Sequence, residues 1–277
     1  MDLKRSACAL AVAAVLAATP SGVGNIERLD AALDALVAPG TVIETVAGGF
    51  KFTEGPLWRP DGTLWFSDVQ GNVVRSVTPA GRVTVLIQNS GGVSNAPPDA
   101  FIGSNAMAQA PDGSVWMAQH GARQIVRIGA DHSLTPVVSR FEGKRFNSPN
   151  DLVFAKDRAL YFTDPDGRIL YVNNSDPAKN LVMRYDVVAD GTLANGRVLA
   201  NLTSKVDGLA DGMKVDAKGN IFTAGPGGVW VLSPAGKHLG TIAPPETPAN
   251  CAWGDNGKTL YMTAVTSVYR VRTLVGR

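Results

Sequence analysis

Short runs of alternating apolar and polar residues recur along this chain, with turn residues between them. In the first unit, Phe52 to Arg59 reads as a strand, Pro60-Asp61-Gly62 as a tight turn, and Leu64 to Asp68 as the returning strand. Two more strands are predicted at Val73 to Val77 and at Val83 to Ile87. Units of four short antiparallel strands that repeat about every 40 to 50 residues are typical of propeller blades. The pattern therefore predicts an all-β fold, a β-propeller.

Six aliphatic–aromatic pairs mark equivalent positions in successive units. Their aromatic residues are Trp65, Trp116, Tyr161, Tyr171, Phe222 and Tyr261. Eleven residues before five of these aromatics stands a side chain with an oxygen acceptor: Glu54, Asn105, Asn150, Asp211 and Asn250. The first strand of each blade lines the central channel, so a constant offset predicts that these five side chains crowd one mouth of the channel.

One interval in this repeat is too short. Tyr161 and Tyr171 lie 10 residues apart, whereas the other intervals between aromatics are 39 to 51 residues. The chain therefore reads as a six-unit repeat that lacks about 35–40 residues around Asp164 to Gly167. We expect either a five-bladed ring with a hybrid blade of five strands, or a ring with a distorted gap and an exposed edge.

The two ends of the repeat are predicted to pair with each other. The last unit has only three strands, and the strand at Thr41 to Ala47 has no unit of its own. Propellers commonly close by pairing an N-terminal strand into the last blade, because closure removes an exposed sheet edge. We therefore assign residues 40–277 to one propeller domain. No long amphipathic helix interrupts this range, which argues against an α/β fold.

The first residues have the features of a secretory signal peptide. The basic pair Lys4-Arg5 precedes an apolar run from Ser6 to Ala18, which is too short to span a bilayer as a helix. Residues 1–24 are expected to form the signal peptide, with cleavage after Ala17 or between positions 21 and 24. The protein would then be periplasmic or secreted, with no membrane attachment after cleavage. The alternative is a cytosolic N-terminal helix.

Residues 25–39 are predicted to form a short helix and a lead-in to the propeller. Asn25 suits a helix cap, and Pro39-Gly40 suits a helix end. The apolar residues that would share one face of this helix are Ile26, Leu29, Leu33 and Leu36.

Composition restricts the class of partner. The chain has 45 % hydrophobic residues, 18 % charged residues and a formal net charge of +2, with no basic run interleaved with aromatics. These values describe an ordinary globular protein and give no reason to expect nucleic acid as a partner. Cys8 would leave with the signal peptide, and Cys251 alone cannot form an internal disulfide. The oligomeric state is left open.

The predicted cluster of oxygen-bearing side chains suits a hard cation. Two buried carboxylates, Glu54 and Asp211, would repel each other unless a cation lies among them. The ring positions lack His and Cys, which favours Ca²⁺, then Mg²⁺ or Mn²⁺, over zinc or copper. Such an ion can polarise an ester carbonyl, with Asp211 or Glu54 as general base. The alternative is that Asn and Asp stand at these positions only because they favour turns and strand starts.

Further side chains are expected just outside the ring, on the returning strands. The pairs that hairpin geometry predicts are Asp68 with Glu54, Gln119 and His120 with Asn105, and Asp164 with Asn150. We take Asn105, His120 and Asp164 as candidate substrate-binding residues, although His120 suits a hydrogen-bonded channel wall equally well. Asn250 is expected to be a buried structural residue in a turn.

The chain contains no GxSxG, HExxH, P-loop, GxGxxG or CxxC motif, which leaves little support for serine-nucleophile, zinc-protease, nucleotide or redox chemistry. Four segments instead resemble the gluconolactonase/regucalcin (senescence marker protein) family: Thr53–Trp58, Asn147–Asp151, Asp211–Asp216 and Asn250–Gly254. The resemblance spans nearly all of Thr41 to Arg272. It implies a six-bladed propeller with one divalent ion, usually calcium, that hydrolyses sugar lactones to aldonic acids.

By this resemblance, Glu54 and Asp211 match metal-binding carboxylates, and Asp211 also matches the general base. Asn150 matches an inner-strand asparagine that contacts the metal region or the substrate. The family's asparagine ligand on the fourth blade has no counterpart, because its strand falls in the missing stretch. Asn105 or water would have to replace it.

Two functions therefore remain open. The first is an exported, calcium-dependent lactonase that acts on a gluconolactone-like substrate, with Asp211 and Glu54 as catalytic residues. The second is a non-catalytic binding propeller, or a decayed lactonase, that has lost one metal ligand.

Overall fold

The protein is an all-β molecule that forms a five-bladed β-propeller arrangement, as the repeat predicts. It is described by a computed structural model, which covers residues 22–95, 97, 99–141, 143–146, 148–154, 160–161, 169–188 and 192–275. The predicted signal peptide up to residue 21 and the predicted substrate residue Asp164 lie outside these ranges. Among the described residues, no helix is long and apolar enough to cross a membrane.

Two regular four-stranded antiparallel blades follow the N-terminal segment. The strands of the first blade are β3 (Thr53–Trp58), β4 (Leu64–Asp68), β5 (Val73–Val77) and β6 (Val83–Gln88). Those of the second are β7 (Ser104–Gln109), β8 (Val115–Gln119), β9 (Gln124–Ile128) and β10 (Leu134–Val138). In both blades the earliest strand stands at the inner end of its sheet, so β3 and β7 lie side by side near the centre of the ring.

The third blade is a hybrid, and it contains the short interval seen in the sequence. A minor ladder pairs β11 (Arg140–Phe141) with β12 (Lys144–Arg145), and a second pairs β13 (Val153–Phe154) with β14 (Leu160–Tyr161). A three-stranded sheet follows, made of β15 (Ile169–Asn174), β16 (Leu181–Val187) and β17 (Leu193–Asn201). Within the described ranges, no ladder joins β14 to β15, so β15 forms one edge of its sheet.

The fourth and fifth blades complete the ring. The fourth contains β18 (Met213–Val215), β19 (Ile221–Gly225), β20 (Gly228–Leu232) and β21 (His238–Ala243). The fifth contains β22 (Pro248–Gly254), β23 (Thr259–Ala264) and β24 (Ser267–Arg272), with a 3₁₀ turn at Asp255–Gly257. The outer strand of the fifth blade is β2 (Ile43–Gly48), which pairs antiparallel with β24. The predicted closure by the N-terminal strand is therefore confirmed.

Apolar side chains fill the contacts between neighbouring blades. Phe66 of the first blade packs in one cluster with Tyr261 of the fifth, and Trp58 stacks on Tyr261 with ring centroids 5.2 Å apart. The β15–β17 sheet packs on the fourth blade through a cluster that includes Tyr171 and Ile221. Burial of this apolar surface supplies the main free energy that holds the blades together.

The contact between the second blade and the hybrid blade has a different make-up. Trp116 meets Phe154 edge-on, with ring centroids 5.2 Å apart. The Ala106 backbone N–H donates to the Asn150 carbonyl oxygen at 3.0 Å. This contact therefore combines an aromatic pair with a backbone hydrogen bond between inner segments.

The helix predicted to start at Asn25 is wrong in its first part. Asn25–Arg28 is a strand, β1, which pairs antiparallel with β21 as a fifth strand of the fourth blade. The outer strand of a blade presents unpaired backbone groups, and pairing with β1 satisfies them. Because this gain comes from β21, which is more than 200 residues away in sequence, the local helix signal at Asn25 did not decide the conformation.

The second part of the predicted helix is confirmed only as a short helical segment. It is a 3₁₀ helix at Ala31–Ala35, and its cap is Asp30, whose side chain accepts a hydrogen bond from the Ala32 N–H at 2.8 Å. Leu33 and Leu36 of the predicted apolar face are buried, whereas Leu29 is 53 % exposed.

Replacement of Leu33 by alanine is expected to destabilise the protein by about 2–5 kcal/mol, because the side chain is fully buried in the core shared by the fourth and fifth blades. The matched change Leu29→Ala should alter stability by no more than about 0.5 kcal/mol, since that side chain is exposed. Urea unfolding followed by tryptophan fluorescence measures both. Equal losses in the two variants would contradict the assignment of Leu33 to the core.

Candidate metal centre and active site

Two of the predicted carboxylates, those of Glu54 and Asp211, lie within electrostatic reach of each other. Glu54 lies on β3 and is 3 % exposed, and Asp211 lies half-buried just before β18. Burial raises the pKa of Glu54 to about 8, and repulsion by the Asp211 and Asp151 carboxylates adds to the rise. Burial also raises the pKa of Asp211 to about 7, again with repulsion from Asp151. The ring therefore gathers three acidic side chains within electrostatic reach of one another.

Asp151 was not among the residues predicted from the sequence. It follows Asn150 directly within the segment that resembles the family, so a signal was present. The constant offset of eleven residues selected Asn150 and passed over its neighbour.

Asn250 holds the Glu54 carboxylate in place. Its Nδ2 donates to Glu54 Oε2 at 3.1 Å, and the Gly55 N–H donates to the same oxygen at 2.5 Å. Asn250 Oδ1 accepts from the Cys251 N–H at 2.8 Å, so both ends of the amide are in use. The expectation of a buried structural residue is confirmed, but Asn250 lies on strand β22 and not in a turn.

The Asn105 side chain joins the second and third units of the ring. Its Nδ2 donates to Asn150 Oδ1 and lies 3.1 Å from His120 Nε2, while its Oδ1 is buried and has no hydrogen-bond partner. Burial lowers the pKa of His120, so its neutral imidazole can accept the hydrogen bond from Asn105. The predicted neighbours Asn105, His120 and Asn150 therefore do lie together, with Asn150 itself exposed.

Asp68 is not part of this group, which corrects the predicted register. Glu54 pairs with Ser67, and Asp68 pairs with Thr53, because β3 contains an irregularity after Glu54. The fully buried Asp68 carboxylate accepts two backbone N–H bonds and forms an ion pair with Arg75 at 3.0 Å. It therefore anchors the chain that enters the first blade.

Asn173 also reaches the ring, although the sequence reasoning missed it. It lies on β15, and its Nδ2 donates to the Asp211 carbonyl oxygen and to Thr223 Oγ1, the latter at 2.9 Å. Asn173 Oδ1 is buried and has no hydrogen-bond partner. The offset of eleven residues before an aromatic selects positions on inner strands. It could not select Asn173, because β15 has the aliphatic–aromatic pair of a second strand.

The donor set fits a hard divalent cation whose ligands include amide oxygens. Among the described residues, no three His, Cys, Asp or Glu side chains are grouped closely enough to hold a metal by themselves. The carboxylates of Glu54 and Asp211 are nevertheless buried near each other, and two buried amide oxygens, on Asn105 and Asn173, lack partners. Oxygen donors of this kind suit Ca²⁺, Mg²⁺ or Mn²⁺, and a positive charge would relieve the repulsion between the carboxylates.

Comparison with protein families identifies the relatives of this chain. The family model described as SMP-30/Gluconolactonase/LRE-like region matches residues 52–165 and 163–266. The two matches meet at residues 163–165, where the repeat loses most of one unit. The similarity therefore spans the propeller on both sides of the short interval.

Individual relatives agree with this match. A gluconolactonase from Zymomonas mobilis is 34 % identical over 310 residues, which cover 91 % of this chain and 87 % of that protein. That alignment is longer than the 277 residues of this chain, so the relative carries residues that have no counterpart here.

Solved structures share the fold. A gluconolactonase from Xanthomonas campestris is 26 % identical with a TM-score of 0.79, and the superposition covers 94 % of this chain and 99 % of that one. A regucalcin from Agrobacterium tumefaciens, described as a calcium-binding protein, is 20 % identical with a TM-score of 0.50 and covers 83 % of this chain and 96 % of that one. The second likeness concerns the fold alone.

The raised pKa values predict how stability depends on pH in metal-free protein. Groups with raised folded-state pKa values stabilise the fold fully below their ordinary values of 4.5 and 3.8, and this contribution is lost as pH rises through about 7 and 8. The Tm with chelator present should therefore fall by on the order of 10 °C between pH 5 and pH 8. Differential scanning fluorimetry across this range measures it.

Glu54→Gln should reduce this fall, because it removes a buried group that must ionise. Glu27→Gln, at an exposed glutamate on β1, is the matched control and should keep the wild-type slope. A Glu54→Gln slope equal to that of the wild type would show that the Glu54 carboxylate is not buried in the folded protein.

Proposed function

We propose that this chain, which belongs to the SMP-30/Gluconolactonase/LRE-like family, hydrolyses a gluconolactone-like sugar lactone to the aldonic acid with a divalent cation, Ca²⁺ in the first instance. Membership of this family and the similarity to gluconolactonases over most of the chain make the protein a lactonase. One observation carries the finer proposal: the buried Glu54 and the half-buried Asp211 lie within electrostatic reach of each other, and two buried amide oxygens, on Asn105 and Asn173, have no hydrogen-bond partner.

Glu54, Asn150 and Asp211 would hold the cation, with Asn105 Oδ1 as a further oxygen donor. When bound, the cation supplies positive charge that polarises the lactone carbonyl and lowers the pKa of a nearby water. Asn250 fixes the direction of the Glu54 carboxylate through its hydrogen bond, so this ligand is already oriented before the cation binds. Ca²⁺ is placed first because it accepts six to eight oxygen ligands in flexible geometry, whereas Mg²⁺ usually keeps several waters and binds through one or two carboxylates.

Asp211 suits the role of general base. Its carboxylate is half-buried, and in the metal-free protein burial raises its pKa to about 7. A bound cation favours the ionised form, so the carboxylate can accept a proton at neutral pH. It takes a proton from the attacking water, whose oxygen adds to the carbonyl carbon of the lactone. The ring C–O bond then breaks, and the proton returns to the ring oxygen, which leaves as the hydroxyl of the aldonic acid.

The neutral His120 and its neighbour Asn105 are proposed to contact the hydroxyl groups of the sugar ring. Their mutual hydrogen bond fixes the orientation of both side chains. Asp164, which lies outside the described residues, stays a predicted substrate contact.

Asp211→Asn should lower kcat on glucono-δ-lactone by at least about 100-fold, since loss of a general base typically has this effect. Glu54→Gln should lower both activity and cation affinity. Asp207→Asn, an exposed aspartate in the loop that precedes Asp211, is the matched control and should keep wild-type activity. Acid release in a weakly buffered pH-indicator assay gives the rates, with and without EDTA.

Two results would contradict this proposal. Wild-type rates in the Asp211→Asn variant would remove Asp211 from the reaction. An EDTA-treated protein that hydrolyses the lactone at full rate would exclude the cation. Calcium binding without any lactone turnover would instead favour the non-catalytic binding propeller.

We also propose that the protein is exported, because its first residues have the features of a signal peptide. The Val23 N–H donates to the Ile43 carbonyl oxygen at 2.9 Å, so a mature chain that begins at Ala18 would keep this contact with β2. Mass spectrometry of the protein from cell fractions should find one of the predicted N-termini, at Ala18 or at positions 22 to 24, outside the cytoplasm. An intact Met1 in a purely cytosolic protein would refute export.

A further inference from the structure

Asn173 lies on a second strand, at a position that joins one blade to the next. It lies two residues after Tyr171, as Ser67 lies two residues after Trp65 in the first blade. Ser67 Oγ donates to the carbonyl oxygen of Asn105, on the inner strand of the next blade, at 2.7 Å. Asn173 makes the equivalent bond to the carbonyl oxygen of Asp211. The two residues therefore play the same part in joining one blade to the next.

The two residues differ because the asparagine amide has a second polar atom, the oxygen Oδ1. Serine has one polar atom, and in Ser67 that atom is used in the contact with its neighbours. Asn173 uses only Nδ2 for the blade contact, and its Oδ1 is buried with no hydrogen-bond partner. Buried polar atoms almost always have a partner, so this oxygen indicates a ligand that is not part of the chain.

The position of this oxygen follows from its neighbour. One hydrogen-bond length and the width of an amide place Asn173 Oδ1 within about 5 Å of the Asp211 carbonyl oxygen. The side chain therefore lies at the same unit of the ring as one of the two candidate ligand carboxylates.

The contacts around the ring place Asn173 at the unit where the repeat lacks an inner strand. Moving round the ring, Asn250 contacts Glu54, Asn105 contacts Asn150, and Asn173 contacts Asp211. Among the described residues, β15 is the edge of its sheet and has no inner strand paired in front of it. A second-strand side chain therefore reaches the ring at the unit where the repeat lacks an inner strand.

We propose that Asn173 Oδ1 is a ligand for the divalent cation and replaces the amide oxygen that was lost with the missing inner strand. This inference rests on the proposed function of the same site. It assigns one cation ligand to strand β15, in place of the missing inner strand. It also explains how a chain that lacks one inner strand keeps a complete set of oxygen donors for the cation.

The test compares two substitutions at Asn173 with one at its neighbour. Asn173→Ala removes the oxygen and should weaken Ca²⁺ binding by about 10- to 100-fold, the usual range for loss of a group that supports a metal site. Asn173→Asp keeps an oxygen at this position but loses the Nδ2 donor, and it should bind Ca²⁺ at least as tightly as the wild type. Asn174→Ala is the matched control, because successive side chains on a strand face opposite sides.

Isothermal titration calorimetry of chelator-stripped protein with CaCl₂ gives the affinities without any activity assay, and circular dichroism confirms that each variant is folded. Weaker binding in Asn173→Ala together with retained binding in Asn173→Asp supports the assignment. Equal weakening in Asn173→Ala and Asn173→Asp would overturn it, because Asn173 would then act only through its N–H donor. Wild-type affinity in Asn173→Ala would overturn it as well.

The same titration separates this inference from the proposed function. If the wild type binds Ca²⁺ and loses lactonase activity with EDTA while Asn173→Ala binds normally, only the role of Asn173 is wrong. If the wild type neither binds Ca²⁺ nor responds to EDTA, the metal-dependent function fails, and the assignment of Asn173 fails with it.

Discussion

The close approach of inner strands from neighbouring blades is the constraint on which the rest of this structure depends. At Gly55, which has a positive φ of 52°, an added Cβ would overlap the backbone of Asn105 and Ala106 on the next blade. At Gly212, an added Cβ would overlap the side-chain amide of Asn250. These two glycines flank Glu54 and Asp211, so the packing that closes the ring also brings the two carboxylates to its centre.

This approach has an electrostatic consequence. Carboxylates that would be solvated on a free strand become buried beside each other, and their pKa values rise to about 8 and about 7. Asn250 and the Gly55 N–H stabilise the Glu54 carboxylate only in part, since burial and repulsion still dominate its pKa. At neutral pH, burial of these carboxylates lowers the stability of the metal-free protein. The same burial creates a site in which binding of a cation is strongly favoured.

The missing part of the repeat changes one unit of the ring and leaves the others regular. The first, second, fourth and fifth blades keep complete four-strand ladders, and β1 adds a fifth strand to the fourth blade. In the hybrid blade, β15 packs on the fourth blade through the apolar cluster around Tyr171 and Ile221. A propeller tolerates such a loss because each blade contacts mainly its two neighbours, so the remaining interfaces can form in the usual way.

The sequence alone determined the strand repeat, the closure by the N-terminal strand and the five candidate ring residues, because alternation and a fixed offset are local properties of the chain. Tertiary structure decided what depends on distant partners. Asn25–Arg28 is a strand because it pairs with the otherwise unpaired edge of β21. Asp68 does not lie beside Glu54, because an irregularity shifts the register of β3 by one residue. Asn173 contacts Asp211 because the β15–β17 sheet packs against the fourth blade, which no local pattern in the sequence predicts. Local patterns fix which segments are strands, whereas the side chains that meet at the centre depend on hydrogen bonds and packing between segments far apart in sequence.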